Sequence, residues 1–125
     1  MFKLKISDYF SSAHFLKNYK GPCENLHGHN WKVELVVEGS KLNNLDILID
    51  FNELKKILKE ILSELDHKVL NDLQFFQNIN PSSERLAEYI FKKAKEKLSN
   101  LPHLKVKEVS VYETENTSAT YYEEF

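Results

Sequence analysis

Alternation of apolar and polar residues predicts strands at both ends of the chain. Near the amino terminus, Phe2, Leu4 and Ile6 alternate with polar residues, which is the period of a strand with one buried face. The pattern returns in WKVELVVEG, residues 31–39, where Trp31 and every second residue after it share a face. The segments LKVKEVSVYET and SATYYEEF predict two further strands, and ENTS between them is typical of a hairpin turn.

Two amphipathic helices are predicted between these pairs of strands. Over residues 51–65 the apolar side chains recur at three- and four-residue steps, which places them on one side of a helix. A second helix is predicted after a proline and extends through Leu98. Asp50 or Asn52 is the candidate cap of the first helix, and Ser82 or Ser83 is the candidate cap of the second.

The order of the predicted elements is strand, strand, helix, helix, strand, strand. An antiparallel sheet with both helices on one face is the simplest packing for this order, and it is an α+β fold. The sequence contains no repeat, linker or low-complexity stretch, so we expect one domain over residues 1–125.

Composition narrows the class of protein. A formal charge of −2 gives no overall attraction to nucleic acid or to a membrane surface, and no apolar run approaches the length that spans a bilayer. The single cysteine cannot form an internal disulfide, which suits a reducing compartment. We therefore expect a cytoplasmic globular protein without nucleic-acid or membrane partners.

Three histidines are candidate metal ligands. His27 and His29 are two residues apart, so they point to the same face if they belong to the strand that contains Trp31. His14 ends the first predicted strand, and antiparallel pairing could bring it beside them. Three neutral imidazoles suit zinc and leave a fourth position open, as in catalytic sites. The alternative for the H-x-H pair alone is a solvated loop.

Cys23 lies in the polar stretch GPCENL, four residues before His27. A lone cysteine is more often a small buried apolar residue than a nucleophile. In a polar loop beside a cation, however, the thiolate is favoured, and the thiolate is the form that acts as a base or a nucleophile.

Five motifs together resemble one enzyme family. SSAHF, CENLHGHN, LDHKVLND, NPSSERLA and VYETENTSATY occur in the order and spacing of the 6-pyruvoyl-tetrahydropterin synthase family, which also contains the 6-carboxytetrahydropterin synthases of queuosine biosynthesis. The resemblance covers essentially the whole chain. It implies a T-fold, a four-stranded antiparallel sheet with two helices on one side. It also implies assembly of several subunits into a barrel, usually a homohexamer built as a dimer of trimers, with active sites between subunits.

The resemblance also implies a zinc site and a general base. His14, His27 and His29 match the family's zinc ligands, and Cys23 matches the cysteine that removes a proton from the substrate side chain. The C-x3-H-G-H spacing resembles the carboxytetrahydropterin synthases. Some relatives have a glutamate in the cysteine's place and cleave dihydroneopterin, and Glu24 directly follows Cys23.

Further roles are implied for acidic and polar residues. Asp66 and His67 match the family's proton relay, although each alone is also typical of a helix end. Glu113 matches the carboxylate that anchors the pterin's amino-pyrimidine edge and is also described as part of the relay; an ordinary strand glutamate faces solvent. Ser82, Ser83 and Glu84 match the family's segment beside the pterin, although helix capping alone would also explain the two serines.

The resemblance implies a zinc-dependent lyase that acts on 7,8-dihydroneopterin triphosphate. The expected products are 6-carboxy-5,6,7,8-tetrahydropterin, acetaldehyde and triphosphate. A pyruvoyltetrahydropterin synthase and a dihydroneopterin-cleaving enzyme of folate synthesis are alternatives within the family. A non-catalytic subunit that binds zinc or pterin is the alternative of another class, and the Cys23, Asp66, His67 and Glu113 set argues against it.

Overall fold

The chain forms an antiparallel sheet covered on one face by two helices. The computed structural model describes residues 1–18, 21 and 25–124. The elements are β1 (Phe2–His14), β2 (His27–Gly39), α1 (Phe51–Ser63), α2 (Ser83–Lys97), β3 (Lys105–Thr114) and β4 (Thr117–Tyr121). The sheet order is β1-β2-β3-β4 with every neighbouring pair antiparallel. Helix α1 packs on β1, and α2 packs on β3 and β4, which confirms the predicted α+β arrangement.

The core lies between the sheet and the helices. Every second residue of β2 from Trp31 to Val37 is fully buried, as the alternation predicts. The helices contribute the apolar stripes that their periodicity predicts, and Leu54, Leu58, Leu86 and Ile90 are fully buried. Because odd-numbered residues of β2 face the helices, His27 and His29 face the same side as Trp31.

Both helices begin with a side-chain cap. The Asp50 carboxylate accepts a hydrogen bond from the backbone N–H of Asn52 at 2.8 Å, so Asp50 is the cap of α1. The Ser82 hydroxyl accepts from the backbone N–H of Arg85 at 3.2 Å and caps α2. The two caps fix where each helix leaves the preceding loop, and α2 therefore starts one residue after Ser82.

Helix α1 ends at Ser63, two residues before the predicted end at Leu65. The next backbone N–H groups bond three residues back, Glu64 to Ile61 at 3.2 Å and Leu65 to Leu62 at 3.0 Å, so the last turn is tightened. Leu65 stays fully buried in this turn, which explains why the apolar period continues past the helix.

The chain after α1 lies beside β1 rather than leaving the sheet. The backbone N–H of Ala13 donates to Lys68 O at 3.0 Å, and that of His67 donates to Ser11 O at 2.6 Å. Two short 3-10 helices follow, Leu70–Asp72 and Gln74–Phe76, which sequence reasoning missed because three residues are too few for a period. The segment holds residues 66 and 67 against the end of β1 that carries His14.

In the part of the chain that the structure describes, no helix combines the length and the apolar character needed to cross a bilayer.

Candidate metal centre and catalytic residues

Three imidazoles converge at one end of the sheet. In the β1–β2 register, His14 lies opposite His27 and Ser12 lies opposite His29. The Nε2 atoms of His14 and His27 are 3.0 Å apart, and the ring centroids of His14 and His29 are 5.4 Å apart. Trp31 closes the inner side of the group, with its ring 4.8 Å from His14 and 5.1 Å from His29. The register of β1 and β2 thus assembles the three predicted ligands.

Backbone carbonyls fix the orientation of two of these rings. The Nδ1 atom of His14 lies 2.7 Å from Pro81 O, and that of His27 lies 2.7 Å from Asn25 O. A carbonyl oxygen only accepts, so in each ring Nδ1 carries the proton and donates. The lone pair of each ring is then on Nε2, which faces the cluster, and this is the tautomer that binds a metal.

Burial favours the neutral form of two of the imidazoles, those of His14 and His29. His14 is almost fully buried, and burial lowers its pKa below the ordinary 6.5, against the raising effect of the Pro81 carbonyl and the Glu113 carboxylate. Burial also lowers the pKa of His29, again against Glu113. At neutral pH these two rings therefore have free lone pairs, which metal binding requires.

The carboxylate of Glu113 points into the imidazole group, a position that sequence reasoning did not predict. Its Oε1 atom lies 2.9 Å from His29 Nε2, 3.6 Å from His14 Nε2 and 3.8 Å from His27 Nε2. The sequence does contain one signal for this direction. Alternate residues of a strand point to the same face, and Glu113 is two and four residues after the buried Val111 and Val109.

These four side chains form a group that could hold a metal ion. Their ligand atoms all lie within 4.8 Å of one another. The Nε2 atom of His29 is buried and has no hydrogen-bond partner of acceptable geometry among the described residues, although Glu113 Oε1 is 2.9 Å away. A buried nitrogen without a proper partner costs free energy unless something else binds it. Nitrogen and carboxylate oxygen are a donor set that suits zinc, so the residues fit the metal that the resemblance implies.

The side chains of Asp66 and His67 form a dyad beside β1. The Nδ1 atom of His67 lies 2.9 Å from Asp66 Oδ2, and the backbone N–H of Ser11 donates to Asp66 Oδ1 at 2.8 Å. The Ser11 N–H, and after it His67, hold the pKa of Asp66 below its ordinary value. The His67 side chain is 81% exposed, and it takes a left-handed backbone angle with φ 56°. Among the described residues, the two side chains bond to each other and to the backbone N–H of Ser11, and neither bonds to the imidazole group.

The remaining predicted residues lie at the start of α2 or outside the described part. Ser82 is the helix cap, Ser83 donates its hydroxyl to Glu113 Oε2 at 3.4 Å, and Glu84 is exposed in the first turn. The residues predicted as base and as alternative base, Cys23 and Glu24, lie outside the described residues.

Comparison with known proteins places the chain in one family. The model of the family described as 6-pyruvoyl tetrahydropterin synthase matches residues 3–124. The chain belongs to the 6-pyruvoyl tetrahydropterin synthase family. The resemblance inferred from the five motifs is therefore confirmed.

Relatives in this family have different names. The chain is 30% identical over 124 residues to the 6-carboxy-5,6,7,8-tetrahydropterin synthase of Aquifex aeolicus, covering 82% of this chain and 76% of that protein. It is 35% identical over 105 residues to the dihydroneopterin monophosphate aldolase of Pyrococcus furiosus, covering 83% and 82%. The solved 6-pyruvoyl tetrahydropterin synthase of Caenorhabditis elegans matches with a TM-score of 0.86 and 29% identity, over 98% of this chain and 96% of that one. Shared sequence and fold thus extend across three named activities.

Proposed function

We propose that this protein is a zinc-dependent lyase that converts 7,8-dihydroneopterin triphosphate to 6-carboxy-5,6,7,8-tetrahydropterin, releasing acetaldehyde and triphosphate. Family membership supports a pterin substrate, and the name of the Aquifex aeolicus relative supports this product. The proposal includes a role in queuosine biosynthesis and a cytoplasmic location.

The convergence of three imidazoles and one carboxylate on a common point is the observation that supports the proposal most directly. His14, His27 and His29 would hold the zinc ion through Nε2. Zinc held there supplies Lewis acidity, which polarises hydroxyl groups of the substrate side chain and makes the adjacent protons easier to remove. The carbonyls that bond Nδ1 of His14 and His27 keep these rings in the required orientation.

Residues of this chain would perform the proton transfers. Cys23 would remove a proton from the side chain as a thiolate, and His67 would pass protons to and from it. Asp66 would orient the His67 ring through the 2.9 Å contact and stabilise its charged form, the logic of base and orienting carboxylate. Glu113 would accept two hydrogen bonds from the amino-pyrimidine edge of the pterin, with Ser82, Ser83 and Glu84 nearby.

The exposed dyad supports a site completed between subunits. His67 is 81% exposed and has no contact with the imidazole group in its own subunit, although a relay must reach the base that it serves. The outer edge of β1 over residues 2–10 is also open in the described structure, and an open edge favours pairing with another copy. We therefore include a homo-oligomer built on trimers, with a hexamer as the expected form.

A second candidate is a dihydroneopterin-cleaving enzyme. The 35% identity to the Pyrococcus furiosus aldolase favours it, and Glu24 next to Cys23 provides the alternative base. A pyruvoyltetrahydropterin synthase is the other alternative, favoured by the fold shared with the Caenorhabditis elegans enzyme. A non-catalytic pterin-binding subunit would need no Asp66–His67 relay, and the dyad geometry therefore argues against it.

Product identification distinguishes these candidates. Zinc-loaded protein would be incubated with 7,8-dihydroneopterin triphosphate, and separately with dihydroneopterin and its monophosphate, with products identified by mass spectrometry. We expect 6-carboxytetrahydropterin and acetaldehyde from the triphosphate. A 6-pyruvoyl product, a 6-hydroxymethyl product from the less phosphorylated substrates, or no turnover would each contradict the proposal in favour of a specific alternative.

A further inference from the structure

Glu113 has two oxygens with different surroundings. Oε1 faces the imidazole group, at 2.9–3.8 Å from the three Nε2 atoms, whereas Oε2 accepts a 3.4 Å hydrogen bond from Ser83 at the start of α2. The roles that the family resemblance implies for this carboxylate are pterin binding and a part in the proton relay, and neither role includes a contact with the metal. Its position in the imidazole group requires a further explanation.

The spacing of Oε1 is that of a fourth metal ligand. A tetrahedral centre with metal–ligand distances of about 2.0–2.1 Å separates its ligand atoms by about 3.3 Å. The separations of Oε1 from the three Nε2 atoms, 2.9, 3.6 and 3.8 Å, lie on both sides of that value, as does the 3.0 Å between His14 and His27.

An ordinary hydrogen bond does not explain this contact. Although Oε1 is 2.9 Å from His29 Nε2, this buried nitrogen has no hydrogen-bond partner among the described residues. Ligands of one metal ion lie off each other's lone-pair axes, since each axis points at the ion. The Nε2 atoms of His14 and His27 are also only 3.0 Å apart, a separation that a cation bound to both would stabilise.

The local backbone aims Glu113 at the cluster. In the β3–β4 pairing Tyr112 lies opposite Ser118 and Thr114 opposite Thr117, so Glu113 is the extra residue of a β-bulge. Bulges re-aim side chains and are common beside active sites. The side chain remains 29% exposed, which leaves one side of the carboxylate open to an incoming ligand.

We propose that the Glu113 carboxylate binds the metal in the free enzyme and the pterin in the substrate complex. It completes the metal centre when no pterin is present and leaves the metal when the pterin binds. This inference rests on the proposed function. A carboxylate that accepts one hydrogen bond on each oxygen from the planar pterin edge cannot also keep Oε1 on the metal. Pterin binding then opens the coordination position that the substrate hydroxyl needs, so the metal becomes available only to a correctly bound substrate.

The exchange can be tested through the effect of the metal on pterin affinity. If the metal and the pterin compete for the Glu113 carboxylate, each must weaken the binding of the other by the same factor. The probe is 6-methylpterin, which has the amino-pyrimidine edge but no side-chain hydroxyl that could bind the metal. Its affinity would be measured by fluorescence with the metal-free and the zinc-loaded protein. We expect zinc to weaken its binding about fivefold or more. Equal affinities, or tighter binding with zinc, would overturn the inference.

Two variants separate the metal contact from the pterin contact. Glu113→Gln should lower the affinity for cobalt or zinc by about tenfold or more, since a charged ligand is lost. Glu108→Gln is the matched control, because Glu108 lies on the same strand but faces away from the helices, opposite Val36. Equal metal affinities of the two variants would overturn the inference. Failure of 6-methylpterin to bind in either metal state would instead contradict the proposed pterin function, and with it the exchange.

Discussion

His14 and His27 are register partners across β1 and β2, and their Nε2 atoms lie 3.0 Å apart. Two residues that are 13 positions apart in the chain thus meet because the strands are antiparallel and the intervening loop has a fixed length. A shift of the register by one residue would turn one of the rings to the other face of the sheet. The candidate metal centre therefore depends first on the backbone register between β1 and β2, which brings the two histidines together.

Replacement of Cys23 should separate catalysis from binding. Cys23→Ala removes the proposed base but none of the candidate zinc ligands and not the pterin anchor. Turnover should fall by about 10²-fold or more, while zinc content and substrate affinity stay near those of the wild type. Steady-state kinetics, metal analysis and substrate binding measure the three quantities.

Glu24→Ala is the matched variant for Cys23→Ala, since it lies next to the proposed base and should retain most activity. If Cys23→Ala kept full activity and Glu24→Ala lost it, Glu24 would be the base. The assignment would then move to the dihydroneopterin-cleaving relatives.

His67 has a backbone conformation that a β-carbon disfavours, with φ 56°. Such strain is common at functional sites, and a left-handed angle costs a residue other than glycine about 1–2 kcal/mol. His67→Gly and His67→Ala should both lower turnover by about 10²-fold, since both remove the proposed relay imidazole. The free energy of unfolding of His67→Gly should exceed that of His67→Ala by about 1 kcal/mol. Urea denaturation measures the difference, and a more stable alanine variant would refute the strain argument.

Two glycines of β2 should respond in opposite ways to alanine. A β-carbon at Gly39 would lie 2.6 Å from the backbone oxygen of His103 and 2.8 Å from Leu48 Cδ1, whereas one at Gly28 would approach nothing nearer than Ser12 O at 4.0 Å. Gly39→Ala should therefore destabilise the fold by about 1–3 kcal/mol. Gly28→Ala should leave it unchanged or stabilise it by up to about 1 kcal/mol, and it should still bind metal. Equal denaturation midpoints for the two variants would contradict the packing described at Gly39.

The Asp66 carboxylate should give the fold a pH dependence with a defined sign. Its pKa is held below the ordinary 3.8, first by the N–H of Ser11 and then by His67. The native state therefore favours the charged form. The resulting stability is present above pH 3.8 and is lost as the pH falls through the lower native value. Asp66→Asn should be less stable than the wild type at pH 7, and the difference should shrink below pH 3.8.

Denaturation at several pH values measures the Asp66 effect. Asp72→Asn, in an exposed position of the same segment, is the control and should follow the wild type at each pH. A difference between Asp66→Asn and the wild type that grew as the pH fell would contradict the sign.

Much of the fold could be predicted because each element has a local signal. The alternation in β2 predicts the buried face that contains Trp31, and the same parity brings His27 and His29 together. The apolar period predicts both helices, although it overstates α1 because Leu65 stays buried in the turn after the helix ends.

The details of the site depend on contacts between distant parts of the chain, which no local pattern contains. Pro81 O bonds the ring of His14 from 67 positions away. Glu113 resembles an ordinary solvent-facing strand glutamate. Its parity with Val109 and Val111 gives only its face of β3, and its distance from the imidazoles follows from how β3 pairs with β2 and β4. The Asp66–His67 pairing was predicted from the family motif, but its exposure and its distance from the imidazole group follow only from the packing of the segment against Ser11.

The proposed function requires that the histidine group, His14, His27 and His29, is the metal centre of catalysis. The most direct test is a titration of chelator-treated protein with zinc, in which turnover of 7,8-dihydroneopterin triphosphate is followed at each addition. We expect no turnover without metal and a linear rise in turnover that stops at one zinc ion per chain. His27→Ala should show no rise at these zinc concentrations, whereas His103→Ala, which changes an exposed histidine outside the group, should follow the wild type. Full turnover by the metal-free protein, or an unchanged zinc response in His27→Ala, would contradict the proposed function.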